Sequence, residues 1–373
     1  MRTIPTTGHT NAPADWAPTV IEASAGAEPA ASAPLSLHTE HAHEGKQALI
    51  LKTARDLPFP PIFADLSSLV DGRVRLMAKI EQFNPAGSIK MKPAVGLLNA
   101  IASEGKLRST SIVVDTSSGN MGIALSMAAR SHGVAFLCVT DEKITPHNRQ
   151  LIEAYGGTVH IMAGSTHKDR CRYISRLLDT DSRYLWTRQF EDRRNPLIHE
   201  ETTAREIFNT FPTPDCIFVG VGTGGTIAGC AALRDQVSPR TRIFAVDPAG
   251  SYHFDESRMD VIRRIPGIGA TERSPFLNDV RIDGVAVVRD EETVHTCLKV
   301  RDRTGWLLGG SSGSVLSAAI NSALEMPIGS TVLAVCADSG ERYLSTIYDR
   351  TWRECHGFEP HLVGASDAVL ASP

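Results

Sequence analysis

The sequence predicts an α/β protein in which short apolar strands alternate with helical segments in two successive series. The apolar runs are bounded by turn residues, and the segments between them carry the longer apolar period of helices. Strands that are joined through helices form parallel sheets with right-handed crossovers. We therefore expect two parallel-sheet α/β lobes with a ligand-binding cleft between them.

The two series can be followed along the chain in order. The first has strands at 74–80, 112–114, 134–139 and 158–162 and helices at 93–102, 121–130 and 148–155. The second has helices at 198–209 and 227–234 and strands at 216–219, 243–246 and 332–335. We expect residues 46–83 and 190–350 to form a larger lobe and residues 84–189 to form a smaller, mobile lobe.

The two ends of the chain differ from the rest in composition. Residues 1–45 are rich in Ala, Pro, Thr, Ser and His and contain few large apolar residues. Such a segment cannot bury enough apolar surface to offset the entropy of ordering, so we predict a flexible tail. Residues 351–373 end in small side chains and are predicted to be a second tail.

Composition and charge limit the partners of this protein. The formal net charge is −4 and no basic block is present, which argues against nucleic acid or a membrane surface and favours small molecules. No apolar stretch approaches the roughly 20 residues that span a bilayer. The seven cysteines form no CxxC pair, which favours reduced, buried thiols over disulfides or a metal site. We predict a cytoplasmic protein.

The segment Asn84–Lys92 places Lys90 just after a turn and at the start of a helix. A lysine at a helix N-terminus lies in positive potential, and partial desolvation adds to that effect. Both effects favour the neutral amine, which can attack an aldehyde and form a Schiff base. The competing interpretation is an ordinary surface lysine on a strand-to-helix loop.

Three further glycine- and serine-rich turns each follow an apolar run and open a helix: Thr116–Gly122, Gly220–Thr226 and Gly309–Gly313. The turn at Gly220–Thr226 suits a phosphate, because its backbone N–H groups and the following helix N-terminus form an anion site. It lacks the strict GxGxxG spacing and the ribose-binding acid of a dinucleotide site.

Taken together, the four segments resemble the cysteine synthase family, fold-type-II pyridoxal-phosphate enzymes that perform β-replacement on serine derivatives. The resemblance covers residues 50–348 and includes Asp338–Thr346. It implies a fold like that of the tryptophan synthase β subunit, with pyridoxal 5′-phosphate in the cleft, and a homodimer. Relatives of the family carry N-terminal tails with regulatory roles, so a haem-binding role for His38, His41 and His43 competes with a plain linker.

The resemblance also implies which residues bind the cofactor. They are Lys90, Asn120, Gly222, Thr223, Gly224, Gly225, Thr226 and Ser312. Lys90 would carry the Schiff base and then act as the base that removes the Cα proton. Ser312 would face the pyridine nitrogen; a neutral hydroxyl there makes the ring a weaker electron sink and favours elimination of a β leaving group. Ser312 can also be an ordinary helix N-cap.

A second set of residues is implied to contact the substrate: Ser117, Ser118, Met121, Gln189 and Arg273. Met121 stands where the family has a threonine, so a hydroxyl is lost there while the backbone N–H remains. Gln189 is a further candidate for the substrate carboxylate. Arg273 follows a glycine turn at the expected rim, where its guanidinium would pair with a phosphate leaving group unless it is a solvated rim arginine.

The implied reaction is β-replacement on O-phospho- or O-acetyl-L-serine through an α-aminoacrylate, giving cysteine or a related β-substituted alanine. A small-molecule amino acid and a small nucleophile are the expected partners, and no metal is expected. Met91 and Lys92 replace the Asp-Arg that usually follows the lysine, which suggests a specialised branch. One alternative adds L-glutamate to form a 2,3-diaminopropionate precursor; another is a serine or threonine dehydratase. Lys90 in its Ser-x-Lys setting argues against an inactive binding homologue.

Overall fold

The structure is a computed structural model that describes residues 49–254 and 261–358. The predicted N-terminal tail, with His38, His41 and His43, and residues 359–373 of the predicted C-terminal tail lie outside the described residues. The strands are, in chain order, β1 (Ile62–Asp65), β2 (Arg75–Ile80), β3 (Ile112–Thr116), β4 (Ala135–Thr140), β5 (Thr158–Ile161), β6 (Tyr184–Trp186), β7 (Cys216–Gly220), β8 (Arg242–Pro248), β9 (Gly284–Val288) and β10 (Thr331–Cys336).

The helices alternate with these strands along most of the chain. They are α1 (Met91–Ser103), α2 (Asn120–Ser131), α3 (Pro146–Ala154), α4 (His167–Thr180), α5 (Arg194–His199), α6 (Arg205–Thr210), α7 (Gly225–Val237), α8 (Asp290–Thr304), α9 (Gly310–Glu325) and α10 (Arg350–His356). A π-helical turn, Glu200–Ala204, joins α5 to α6, so the helix that the sequence predicts at 198–209 is interrupted by a wider turn.

The large sheet has six strands in the order β1-β2-β10-β7-β8-β9. All neighbouring strands are parallel except β1, which pairs antiparallel with β2. Helix α9 packs on one face through Val315 and Leu316, and α7 packs on the other face through Ile227 and Leu233. Burial on both faces explains why the central strands are nearly continuous apolar runs.

The small sheet has four parallel strands in the order β5-β4-β3-β6. Helices α1 and α2 cover one face through Leu97 and Leu125, and α4 covers the other through Ile174. Two sheets covered by helices confirm the predicted α/β class and its parallel sheets. The boundaries of the two lobes and the mobility of the smaller one stay predictions.

All the strands that the sequence predicts are present, with ends that shift by one or two residues. Elements that the sequence did not predict are β1, β6, β9, α4, α8 and α10. The first six residues of the predicted C-terminal tail belong to α10, which is capped by the Asp349 side chain and carries Trp352 against Tyr343 and Phe358. Within the described residues, no helix is both long enough and apolar enough to cross a bilayer.

A buried ion cluster joins β2, α1 and α6, and is formed by Lys79, Glu81, Lys92 and Glu206. Lys92 Nζ lies 2.8 Å from Glu81 Oε1 and 2.9 Å from Glu206 Oε2. Lys79 Nζ lies 2.8 Å from Glu206 Oε2 and 3.3 Å from Glu81 Oε1. Two ammonium groups and two carboxylates therefore neutralise one another away from water.

Removal of one member should be costly because a buried charge is then left without compensation. We expect Lys92→Met to lower the free energy of unfolding by about 3–5 kcal/mol, measured by urea denaturation at neutral pH. The control is Arg149→Ala, because Arg149 and Glu153 form an exposed pair on α3 whose loss should cost less than about 1 kcal/mol. Equal effects of the two substitutions would show that the cluster does not stabilise the fold.

Candidate active site

Lys90 lies at the N-terminus of α1 and lines an open cavity at the carboxyl ends of β7 and β10. Burial lowers the pKa of its amine to about 8, and the nearby Asp338 carboxylate opposes that shift by favouring the protonated amine. A substantial fraction of the amine is therefore neutral near pH 8. The sequence predicted an amine of this kind, and desolvation makes the largest contribution to the shift.

The loop Gly222–Thr226 forms one wall of the cavity, between β7 and α7. Its carbonyl groups are held from outside: His253 Nε2 lies 2.9 Å from the Gly222 carbonyl oxygen, and Ser274 Oγ donates to the Thr223 carbonyl oxygen at 2.5 Å. In a trans peptide the N–H points opposite to the C=O, so the N–H groups of Thr223 and Gly224, which follow these carbonyls, point away from His253 and Ser274. Together with the N-terminus of α7 they form an anion cradle.

Two glycines make this cradle possible. Gly224 has φ +84°, in the left-handed region that favours glycine, and a Cβ there would lie 2.7 Å from Ser274 Oγ. A Cβ on Gly225 would overlap the Asn195 side-chain amide. Gly222, Thr223, Gly224 and Thr226 line the cavity, whereas Gly225 lies in the first turn of α7 behind it.

Asn120, the first residue of α2, lines the cavity and links the small sheet to the chain segment that follows β10. Its Nδ2 donates to Asp338 Oδ2 at 2.8 Å, and its Oδ1 accepts from Arg342. Arg342 also donates to the Ala86 carbonyl in the lysine segment. Both ends of the Asn120 amide are thus oriented by charged groups, so the remaining Nδ2–H is the one available to a bound ligand.

Asp338 is a buried carboxylate to which the sequence analysis gave no role. It accepts hydrogen bonds from Asn120 Nδ2, from Tyr343 Oη at 2.9 Å and from Ser311 Oγ at 3.3 Å. Burial raises the pKa of Asp338, while these donors act in the opposite direction and favour the charged form. The carboxylate therefore organises three side chains around Lys90.

The structure places Ser311, not Ser312, among the residues that line the cavity. Ser312 is fully buried beside Cys336. A shift of one residue within the first turn of α9 exchanges which hydroxyl faces the cavity, because neighbouring helical residues point about 100° apart. Ser311 is therefore the hydroxyl that the structure offers to a ring nitrogen at this wall.

The predicted substrate residues of the asparagine loop lie beside the cavity and not in its described lining. Ser117 Oγ accepts from Gly122 N at 3.0 Å, Ser118 is exposed, and Met121 is buried in the core of the small sheet. Gln189 is buried, and its Nε2 donates to the Thr116 carbonyl at 2.8 Å. The Gln189 side chain therefore holds the loop in place from behind.

Asp115 fixes the position of Gln189. Its carboxylate accepts from Thr187 Oγ1, from the Gln189 backbone N at 3.3 Å and from Trp186 Nε1 at 3.3 Å. Burial raises the pKa of Asp115, which makes these donors necessary for a charged carboxylate in this place. The end of β3 and the loop after β6 are joined in this way.

Arg273 lies at the surface, outside the described lining of the cavity. Its Nη1 donates to the His253 carbonyl at 2.8 Å, and its guanidinium lies 5.7 Å from the centre of the Phe254 ring. The side chain thus supports the segment that holds the phosphate loop. The neighbouring Glu272 pairs at 2.9 Å with Lys168 at the start of α4.

The cavity can be compared with the groups of pyridoxal 5′-phosphate. A buried lysine amine with a lowered pKa suits the aldehyde, a loop whose N–H groups face inward suits the phosphate, and Asn120 and Ser311 offer polar contacts for the ring. Apolar walls, formed by Ile268 and Val315, suit the faces of the ring. The residues present therefore fit this cofactor.

A lysine amine opposite an anion cradle, at the carboxyl ends of parallel strands, is typical of enzymes that hold a phosphorylated aldehyde cofactor. The sequence pattern of the family described as pyridoxal-phosphate-dependent enzymes matches residues 63–338, which is most of the chain. The chain belongs to this family, it is an enzyme of the cysteine synthase type, and its cofactor is pyridoxal phosphate. The predicted resemblance is thereby confirmed.

Solved structures of similar proteins agree with that assignment. An O-acetylserine-dependent cystathionine β-synthase from Helicobacter pylori is 29% identical with a TM-score of 0.76, and the match covers 81% of this chain and 100% of that one. An O-ureido-L-serine synthase is 28% identical with a TM-score of 0.77, covering 81% and 96%. A hydrogen sulfide-producing enzyme from Fusobacterium nucleatum is 25% identical with a TM-score of 0.74, covering 80% and 100%.

Sequence reasoning missed Asp115, His199, His253, Ser311 and Asp338. A signal for Asp338 was present, because it follows the predicted strand that became β10, and polar residues at the carboxyl ends of parallel strands face the ligand crevice. The contacts of His199 with Thr226 and of His253 with Gly222 span 27 and 31 positions, so no local pattern indicates them.

The Asp338 carboxylate favours the protonated form of Lys90, so its removal should lower the pKa of that amine below about 8. We expect Asp338→Asn to shift the pH dependence of cofactor capture by the apoenzyme to lower pH, because the neutral, reactive amine then exists at lower pH. The measurement is the rate at which the visible absorbance of the bound cofactor appears between pH 6 and pH 10.

Tyr343→Phe is the control for that experiment, because it removes a hydrogen bond to Asp338 and leaves the charge in place. The midpoint of the pH dependence of cofactor capture in Tyr343→Phe should stay close to that of the unmodified enzyme. A midpoint in Asp338→Asn that is unchanged, or that moves to higher pH, would contradict the electrostatic role of the carboxylate.

Proposed function

We propose that the enzyme catalyses β-replacement on an O-activated L-serine, with O-acetyl-L-serine as the amino-acid donor. The observation that carries the choice of donor is the charge of the cavity: among the described residues that line it, Lys90 is the one cationic side chain. A departing phosphate dianion needs cationic or multiple N–H partners in a desolvated site. A departing acetate carries less charge and needs fewer cationic or N–H partners.

The similar proteins support this reaction class. Cystathionine and O-ureido-L-serine, the products named for two of them, both carry a heteroatom substituent on the β-carbon of an alanine skeleton, and one of these enzymes depends on O-acetylserine. A product of the same class, cysteine or a related β-substituted alanine, is proposed for this chain.

Each part of the cavity has a role in the proposed reaction. Bound pyridoxal phosphate withdraws electrons from the substrate Cα and so makes its proton removable. Lys90 Nζ accepts that proton, which requires the neutral amine that a pKa of about 8 provides. The Gly222–Thr226 loop binds the phosphate, and Ser118 with the N-terminus of α2 binds the substrate carboxylate. The apolar walls exclude water, which would compete with the nucleophile.

A donor and nucleophile panel tests the proposal. O-acetyl-L-serine and O-phospho-L-serine are each combined with sulfide, homocysteine, hydroxyurea or L-glutamate, and the products are identified by mass spectrometry. We expect β-substituted alanines and a higher kcat/KM for O-acetyl-L-serine. Lys90→Ala is the control, and should lose both turnover and the visible absorbance of the lysine-bound cofactor, because Lys90 is the residue proposed to hold the cofactor covalently.

Other outcomes of the panel would replace the proposal. Release of pyruvate whatever nucleophile is present would indicate a dehydratase. Preference for O-phospho-L-serine with L-glutamate would indicate the branch that forms a 2,3-diaminopropionate precursor. Turnover by Lys90→Ala would remove Lys90 from its catalytic role.

Arg273 tests the donor separately, because the sequence suggested a phosphate contact for it and the structure places its guanidinium against the His253 carbonyl. We expect Arg273→Ala to change kcat/KM for both donors by the same small factor, less than about threefold, through a slight loss of support for the phosphate loop. A loss of roughly tenfold or more for O-phospho-L-serine alone would restore the phosphate-binding role.

We also propose that the enzyme acts in the cytoplasm as a homodimer. The buried thiols, exemplified by Cys297, whose pKa burial raises to about 12, suit a reducing compartment. Exposed apolar side chains such as Phe83 and Leu344 lie on the segments that flank the active site and suit a subunit contact. Light scattering measures the mass in solution, and a monomeric mass would contradict the dimer.

A further inference from the structure

A continuous chain of buried polar groups connects the ion cluster to the phosphate loop. Its first link is Lys92 Nζ, which donates to Thr203 Oγ1 at 3.1 Å in addition to its two carboxylate contacts. The second link joins Thr203 Oγ1 to His199 Nδ1 at 3.3 Å. The third joins His199 Nε2 to Thr226 Oγ1 at 3.3 Å. Thr226 lines the cavity, so the chain ends where the phosphate is proposed to bind.

The π-helical turn positions the middle of this chain. His199 immediately precedes the turn Glu200–Ala204, and Thr203 lies within it. Helix α7 approaches this turn so closely that a Cβ on Gly229 would overlap the Pro196 carbonyl. That close approach brings Thr226, in the first turn of α7, to the imidazole of His199.

Proton counting fixes the direction of the first of these hydrogen bonds, and the tautomer of His199 sets the direction of the other two. The Lys92 ammonium has three N–H bonds, and its three partners are Glu81, Glu206 and Thr203. Thr203 Oγ1 therefore accepts from Lys92, and its own proton is free to go to His199 Nδ1.

His199 is neutral in this position. Complete burial, together with the positive charges of Lys90 and Lys92 nearby, lowers the pKa of His199 well below its ordinary value. A neutral imidazole carries one N–H. When Nδ1 accepts the Thr203 proton, the imidazole proton is on Nε2 and is donated to Thr226 Oγ1.

We propose that His199 is a positioning residue that turns the Thr226 hydroxyl into a donor toward the cofactor phosphate. Thr226 Oγ1 is occupied by the proton of His199 Nε2, so its own proton points into the cavity. The buried ion cluster determines this direction through Lys92 and Thr203. The inference rests on the proposed phosphate-binding role of the Gly222–Thr226 loop, and it assigns to His199 neither a charge nor a proton transfer.

The tautomer is measured directly in the holoenzyme labelled with 15N-histidine. We expect the His199 ring to show the Nε2-protonated form, unchanged between pH 6 and pH 9. Thr203→Val keeps the volume of the side chain and removes the hydroxyl that donates to Nδ1. It should allow the Nδ1-protonated form to appear. A protonated His199, or an Nδ1-protonated form in the unmodified enzyme, would overturn the proposal.

The effect on the phosphate is measured by cofactor dissociation and by the 31P resonance of the bound cofactor. Thr226→Val and His199→Asn each remove the directed donor, so each should weaken cofactor binding by roughly tenfold or more and move the 31P resonance. Thr226→Ser and His199→Gln are the matched controls, because the first keeps the hydroxyl and the second keeps an N–H near the Nε2 position. Both should stay close to the unmodified enzyme.

Coupling between the two residues distinguishes a relay from two separate structural defects. If His199 acts through Thr226, the double variant His199→Asn/Thr226→Val should bind the cofactor no more weakly than either single variant. Additive losses would overturn the relay. If His199→Asn does not fold, Thr203→Val and the tautomer measurement still decide the question.

Failure of the phosphate-binding assignment itself has a different signature. Thr226→Val would then leave both the dissociation constant and the 31P resonance unchanged. An effect of Thr226→Val with no effect of His199→Asn would instead retain the loop and reject the role of His199.

Discussion

The Lys92 ammonium is the contact on which the geometry of the active site depends. It lies in the first turn of α1, 2.8 Å from Glu81, which follows β2, and 2.9 Å from Glu206 in α6. One cation thus joins the large sheet, the helix that begins beside Lys90 and the helix that packs near α7. Displacement of α1 would separate charges in a site that excludes water, where ion pairs are expensive to break. Lys90 is thereby held by a contact outside the cavity.

Lys90 and Lys92 show how environment separates two identical side chains. Lys92 is surrounded by carboxylates and serves as a structural cation. Lys90 faces the cavity, and burial lowers the pKa of its amine to about 8 while Asp338 limits the shift. Nearby, His199 is kept neutral by burial and by both lysines, and so is available as a hydrogen-bonding group without charge. The chemistry at this site follows from where each charge is compensated.

The comparison of sequence with structure separates local from distant signals. The lysine segment and the glycine turns could be predicted because each combines a strand end, a turn and a helix start within about ten residues. Asn120 and Asp338 are 218 positions apart in the chain, and Lys92 and Glu206 are 114 apart, so no local pattern reports their contacts. The sequence indicated Ser312, whereas the structure has Ser311 in the cavity lining, because the helix start sets which of two adjacent hydroxyls faces inward.

Substrate identity is harder to predict than cofactor chemistry because the first depends on exposed residues and the second on residues that buried groups hold in place. The cavity is held from behind, since His253 and Ser274 orient the Gly222–Thr226 loop and Asp338 orients Asn120. Changes in these buried groups would disturb the loop and the asparagine that they hold, so the segments at the cavity are constrained and their local pattern is readable. Outside the cavity lining, by contrast, the side chains of the Lys168–Glu272 pair are both more than half exposed. Exposed groups of this kind can change at little cost in stability. Surface positions are thus free to vary with the donor and the nucleophile, and a sequence pattern that identifies the cofactor carries little information about either.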